Sequence, residues 1–201
     1  MEIIIHRVNT LEKLKRVPID FGIEIDIRGY GNKLYLSHDP IGENSEYCEL
    51  DALLSAYQHK TIVFNVKEAG YEQKIIDCAT KHNIDDYFFL DVEFPYFYNA
   101  TRNLNFKKIA IRYSEAEPIE NVLTQVAENK PLCDWVWIDT NTMLPLNANT
   151  NEQLRGFKTC LVCPERWGRP HDIKPYRKKI SELNFKLDAV MTSLECVKDW
   201  S

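Results

Sequence analysis

Short apolar, β-rich runs recur along the whole chain, at residues 2–6, 22–27, 61–67, 86–92, 108–113, 134–140, 158–163 and 187–192. Most of them, Thr61-Ile-Val-Phe-Asn-Val-Lys67 among them, are continuously apolar and turn polar only at the end. Strands buried on both faces of a parallel sheet carry that pattern. Helical spacing fills the intervals, over residues 10–17, 50–57, 71–82, 95–104, 118–129 and 175–184. In the fifth of these, Ile119, Val122, Leu123 and Val126 fall three and four apart, with Pro118 early in the helix where proline is tolerated. Residues 149–156 support only a short helix. Eight strands alternating with helices predict a compact α/β barrel, (β/α)8. A doubly wound sheet is the alternative, but the first βα turn reads His6-Arg-Val-Asn-Thr10 and lacks phosphate-binding glycines.

The second run carries the densest chemistry. In Gly22-Ile-Glu-Ile-Asp-Ile27, side chains alternate faces, so Glu24 and Asp26 point one way and the three isoleucines the other. Two acids on one strand face repel unless a cation or a basic group lies between them. An amphipathic edge strand with a wet face is the bland alternative. Against it stand the neighbours: His6-Arg7 ending the strand before and His38-Asp39 shortly after. Gly31-Asn32 is a turn signal, and Leu34 and Leu36 alternate with Tyr35 and Ser37, so a hairpin carries His38 back toward Glu24 and Asp26. Barrel enzymes gather active groups at strand C-terminal ends. Here those ends hold His6 and Arg7, Glu24 and Asp26, Asn65 and Lys67, Asp91 and Glu93, Arg112, Asp139, Glu165 and Thr192. Two histidines converging on two carboxylates can move protons near neutral pH, whereas His59, His82 and His171 read as structural.

Composition narrows the class. The 201 residues are 44% hydrophobic and 27% charged, enough for one substantial core, and no linker-like stretch interrupts residues 1–201, which read as one domain. A formal net charge of −5 argues against a nucleic-acid footprint. No apolar run approaches transmembrane length, and Met1-Glu-Ile-Ile-Ile-His6 does not read as a signal peptide, so the expected compartment is cytoplasmic. Of six cysteines, Cys160 and Cys163 form a C-x-x-C inside a strand-like run, where a three-residue offset sends them to opposite faces. With no second pair to complete a zinc site, the thiols read as structural.

His6-Arg7, Glu24-Ile-Asp26 and His38-Asp39, in this order and spacing, resemble the signature of the glycerophosphodiester phosphodiesterases, part of the phospholipase-C-like phosphodiesterase barrels. The resemblance extends to Phe64-Asn-Val-Lys67, where the family has Glu-x-Lys, and more weakly to Val162-Cys-Pro-Glu165 and Asp188-Ala-Val-Met-Thr192. It implies a metal-dependent phosphodiester hydrolase acting on a small glycerophosphodiester-like molecule. Glu24 and Asp26, with Asn65, would hold a divalent cation, Mg²⁺ or Ca²⁺. His6 and His38 would be general base and acid, Arg7 and Lys67 would bind phosphate oxygens, and Glu165 and Trp167 would contact substrate. A neighbouring substrate hydroxyl would attack phosphorus and expel an alcohol.

Three departures accompany the likeness. Asn65 replaces the usual metal-binding Glu, Val8 replaces the Gly after His-Arg, and Cys160-Leu-Val-Cys-Pro-Glu-Arg-Trp167 replaces the aromatic Trp-Thr-Val-Asn pattern of the late strands. A phosphate-ligand-binding barrel weakened in catalysis through Asn65 is therefore the competing reading. A sugar-phosphate isomerase or aldolase with Lys67 as a nucleophilic amine leaves both the histidine pair and the acid pair unexplained.

Overall fold

The computed structural model describes residues 1–42 and 46–200. They divide into two compact units, one of Ile4–Phe97 and one of Met1–Ile3 with Tyr98–Ser201.

In the first unit, β2 (Gly22–Tyr30) pairs in parallel with β1 (Glu2–Ile5) on one side, Ile4 beside Gly22. On its other side β2 meets β5 (Ile62–Val66), with Ile25 beside Phe64 and Asp26 beside Asn65, and β5 in turn pairs with β6 (Tyr87–Leu90). All five residues of β5 and all four of β6 are buried, as the continuous apolar runs require. The period of two sorts them into layers. Ile23, Ile25, Phe64, Tyr87 and Phe89 share one face, where the three aromatic rings cluster at centroid separations of 5.2–5.9 Å. Glu24, Asp26, Val63, Asn65 and Phe88 share the other.

β2 runs three residues past its predicted end, because its last turn pairs antiparallel with β3 (Lys33–Leu36) and β3 with β4 (Cys48–Glu49). Gly31, at φ 57°, supplies the left-handed residue the predicted hairpin turn needs. Gly29 answers a different demand: the Tyr71 ring lies across it so closely that an added Cβ would fall 1.9 Å from Cζ. Around these strands lie α1 (Leu11–Arg16), α2 (Leu50–Ser55) and α3 (Glu72–Lys81). The Thr10 hydroxyl caps α1 by accepting from the Lys13 amide.

The chain passes from the first unit to the second within α4 (Phe94–Arg102), which is close to its predicted span. In the second unit β7 (Ala110–Tyr113) leads to α5 (Ile119–Leu123), which is half the predicted length. Only Val122 of its apolar set is buried, and Leu123 and Val126 face solvent, so packing gives the helix no reason to continue. The chain instead forms a ribbon of β8 (Val126–Ala127) and β9 (Lys130–Pro131). Glu128 and Asn129, at φ 49° and 61°, make its two-residue turn.

Beyond the ribbon, β7, β10 (Trp135–Ile138), β11 (Lys158–Val162) and β12 (Ala189–Thr192) lie side by side in parallel. The Glu2 amide donates to the Asp188 carbonyl at 2.7 Å. α6 (Thr150–Gln153), α7 (Ile173–Glu182) and α8 (Val197–Trp200) complete the order. No disulfide joins the described cysteines; Cys160 and Cys163 are buried, and the Trp200 indole donates to Cys163 Sγ. No helix among the described residues is long and apolar enough to cross a membrane.

Candidate active site

The polar layer of the first unit ends in a cluster of charges. Glu24 and Asp26 are each 1% exposed. Two carboxylates with almost no solvent must find donors in the protein. Glu24 Oε2 accepts from the Arg7 amide at 2.7 Å and Oε1 from the Asn65 side-chain amide at 2.8 Å. Burial, and behind it the charge of Asp26, still pushes the Glu24 carboxyl up to about 7. Asp26 is gripped on two sides by Asn9, whose side-chain amide donates to Oδ2 at 2.9 Å while its Oδ1 accepts from the Asp26 amide at 2.9 Å.

Three basic groups face this pair. His6 continues the face parity of β1, and its Nε2 lies 3.8 Å from Glu24 Oε2. Arg7 Nε is 3.8 Å from Asp26 Oδ2. Lys67 Nζ reaches Asp26 Oδ1 at 3.3 Å and Asp91 Oδ2 at 3.6 Å. Arg7 occupies the left-handed region at φ 51°, and Asp91 does so at φ 60°. Non-glycine residues held there concentrate where a structure over-determines them, commonly at functional sites. The Lys13 ammonium bridges the carbonyls of His6 and Arg7 at 2.7 and 2.8 Å and so holds the turn that aims both side chains.

His38 follows the hairpin strand β3. The Ser37 amide donates to the Asp26 carbonyl at 3.0 Å, and the Arg28 guanidinium donates to the His38 carbonyl from Nε and Nη2. Arg28 is fixed from behind by Glu68, which also accepts from the Gly29 amide. His38 Nδ1 lies 2.9 Å from Asp39 Oδ1, and that hydrogen bond holds the Asp39 carboxyl below the usual carboxylate range, with Arg7 and Arg28 contributing charge. An ionised carboxylate only accepts, so Nδ1 carries the proton and Nε2 of the neutral ring keeps its lone pair.

Thus His6, Arg7, Glu24, Asp26, Asn65 and Lys67 converge, and Ser37, the residue before His38, is tied to the Asp26 backbone. Asn9, Lys13, Arg28 and Glu68, which hold the others in place, carried no motif in the sequence. Glu165 and Trp167 belong to the second unit. Glu165 Oε1 accepts from the Thr192 hydroxyl at 3.1 Å and the Ser193 amide at 2.8 Å, while its Oε2 is buried without a hydrogen-bond partner. Trp167 is 48% exposed. Arg112 and Asp139, at neighbouring strand ends of the same unit, form an ion pair. Of the histidines read as structural, His59 donates to the Val17 carbonyl at 3.0 Å and His82 sits on Asp51 at 2.9 Å.

Asn65 Oδ1 is buried with no hydrogen-bond donor, Asp26 Oδ1 has the Lys67 ion pair at 3.3 Å but no hydrogen bond, and Arg7 Nε is buried with no acceptor. Two buried carboxylates with an unmet amide oxygen make a hard donor set that fits a divalent cation, and an unmet guanidinium nitrogen beside them fits an anion.

No protein-family model and no curated protein sequence matches the chain. Solved structures do. A glycerophosphodiester phosphodiesterase from Agrobacterium tumefaciens str. C58 superposes with a TM-score of 0.67 at 14% identity, covering 96% of this chain and 96% of its own. A putative glycerophosphoryl diester phosphodiesterase from Agrobacterium tumefaciens str. C58 (Dupont) gives 0.64 at 11%, covering 95% and 92%. The chain shares their fold. It is the α/β barrel class that the alternation of strands and helices predicts, and identities this low carry the fold alone.

Proposed function

We propose that this chain is a metal-dependent phosphodiesterase acting on a small, glycerophosphodiester-like molecule. The observation that carries the reading is the buried Glu24–Asp26 pair, with the unmet Asn65 oxygen beside it and Arg7, Lys67 and His6 close to its carboxylates. Glu24, Asp26 and the Asn65 side-chain oxygen would hold Mg²⁺ or Ca²⁺, which supplies Lewis-acid stabilisation of charge on a phosphoryl oxygen when bound. The two solved neighbours are named for this activity, which supports the reading.

Arg7 and Lys67 bind and orient the phosphodiester and oppose charge that grows on its oxygens in the transition state. His6 takes the proton from the attacking hydroxyl, and Glu24 beside it steadies the imidazolium that results. His38 in its imidazolium form, with Nδ1 held by Asp39, gives its Nε2 proton to the departing alcohol and is left as the neutral Nδ1–H ring. We infer a cytoplasmic setting for it, as expected from the sequence. We assign Glu165 and Trp167 to substrate contact, since one Glu165 carboxylate oxygen is buried without a hydrogen-bond partner and the Trp167 indole is exposed.

Release of alcohol from glycerophosphodiesters, with and without chelator, tests this. His6→Ala and His38→Ala should each cost about 10²–10⁴-fold in turnover. Near-wild-type turnover in either variant overturns the acid–base assignment. A weakened binding barrel is the second reading, and Asn65 favours it, because an amide already occupies Glu24 Oε1 where a charged ligand is usual. Phosphodiester binding without turnover in metal-loaded protein would select it.

A further inference from the structure

Away from these strand ends, three ligand-type side chains of the first unit meet on the outer helices. Cys78 and His82 are one turn apart on the C-terminal part of α3, so they share a face. Asp51, in the first turn of α2, completes the group. Their ligand atoms all lie within 4.8 Å of one another, the one such cluster of three among the described residues. His82 Nε2 is 2.9 Å and Cys78 Sγ 3.8 Å from the same oxygen, Asp51 Oδ1. In a tetrahedral zinc site, bond lengths of about 2.0–2.3 Å place neighbouring ligand atoms roughly 3.2–3.8 Å apart. Shifts of less than an ångström would bring the three into that geometry.

We propose that Asp51, Cys78 and His82 form a second metal site, selective for Zn²⁺ or a similar borderline transition metal. A thiolate and an imidazole are poor ligands for Mg²⁺ and Ca²⁺, so this site does not compete for the cation of the strand-end cluster. Binding forms a Zn–S bond and releases the Cys78 thiol proton to water. Asp51 and Cys78, with Leu34, Glu49, Asp77 and Lys81, line an adjoining cavity of about 300 Å³, with room for water or a small ligand. One group now occupies the metal's place: the Lys81 ammonium, 2.6 Å from Asp51 Oδ1, on a side chain 63% exposed that can swing into solvent. Metal bound here would tie α2 to α3 as a structural clamp.

The test is titration of the intact chain with Co²⁺, the coloured stand-in for Zn²⁺, in excess Mg²⁺. A sulfur-to-metal charge-transfer band with the visible bands of four-coordinate Co²⁺ is expected, both bleached by Zn²⁺. Cys78→Ser should abolish the charge-transfer band. His82→Ala should weaken binding at least tenfold, since even groups that only orient a ligand contribute about 10–100-fold. Lys81→Met, which leaves all three ligands in place, should tighten binding by removing the competing ammonium. Wild type without the band, a band surviving Cys78→Ser, or one lost in Glu24→Gln/Asp26→Asn overturns the site. Unchanged affinity in Lys81→Met overturns Asp51 as a ligand, and with it the three-residue site.

Discussion

Arg7 meets Glu24 through its backbone: the amide, not the guanidinium, donates to Oε2 at 2.7 Å, from a residue held at φ 51°. The side chain is thereby free to lie along Asp26 with Nε unsatisfied.

The two roles of Arg7 are separable. Glycine keeps the amide and prefers the left-handed conformation, so Arg7→Gly should leave stability unchanged or raise it by up to about 1 kcal/mol. Loss of the guanidinium should weaken inorganic phosphate by about 1.5–3 kcal/mol, more than tenfold in affinity. Arg7→Val loses the same charge and adds roughly 1–3 kcal/mol of backbone strain. Chemical denaturation and phosphate calorimetry on both variants distinguish the contributions. Equal stability of the two would show that the turn imposes no strain.

Asn9 is the positioning residue for Asp26. Asn9→Ala removes both hydrogen bonds of the pair, one of them to a buried carboxylate, and should cost roughly 2–3 kcal/mol in unfolding free energy. Cation affinity should fall about 10–100-fold, the usual contribution of a group that orients a ligand. Asn9→Asp should not restore it, since a carboxylate cannot donate to Oδ2. Calorimetry with Mg²⁺ or Ca²⁺ reads the effect, and unaltered affinity would place the cation away from Asp26.

The contrast between Asp26 and Asn9 marks how far the chain was legible before its structure. Strand faces follow from a period of two, so Glu24, Asp26, Asn65 and Lys67 could be placed together from spacing alone, and His6 from its position at a strand end. Asn9 lies in the turn before α1, where no periodicity operates, and Lys13, in the first turn of α1, reaches back to the carbonyls of that turn. Arg28 sits where the strand pattern of β2 gives way to the hairpin, and Glu68 in the loop that follows β5. The helix expected over residues 118–129 failed for a related reason: spacing records which residues could form a buried stripe, not whether anything covers it. Beyond Leu123 nothing does, and Glu128-Asn129 turns the chain instead.

Glu24 gives the protein a pH-dependent stability in the absence of metal. Its carboxyl is raised to about 7, first by burial and then by Asp26, against an unfolded value near 4.5. Between those values the folded state holds the proton that the unfolded state has released, so stability falls as pH rises through this window. The full effect is on the order of 2–3 kcal/mol. Denaturation in chelator from pH 4.5 to 8 should show the fall, and Glu24→Gln should flatten it. Added Mg²⁺ or Ca²⁺, which needs the ionised form, should offset the loss at the upper end. A wild-type slope no different from that of Glu24→Gln would mean that Glu24 titrates normally.

Asn65 decides how the cluster stands without a cation. Its side-chain amide donates to Glu24 Oε1, and its own oxygen is left unmet. Asn65→Glu replaces that donor with a third buried carboxylate and should destabilise the metal-free protein by roughly 3 kcal/mol or more. The same substitution adds a charged oxygen ligand, so Mg²⁺ or Ca²⁺ should bind more tightly and raise the unfolding temperature of the variant further than that of the wild type. The two stabilities should therefore approach each other, or cross, as cation is added, while in chelator the variant stays the weaker protein. An equal rise in both proteins would show that residue 65 does not face the cation, and Asp91, already within reach of Lys67, would then be the carboxylate to replace next.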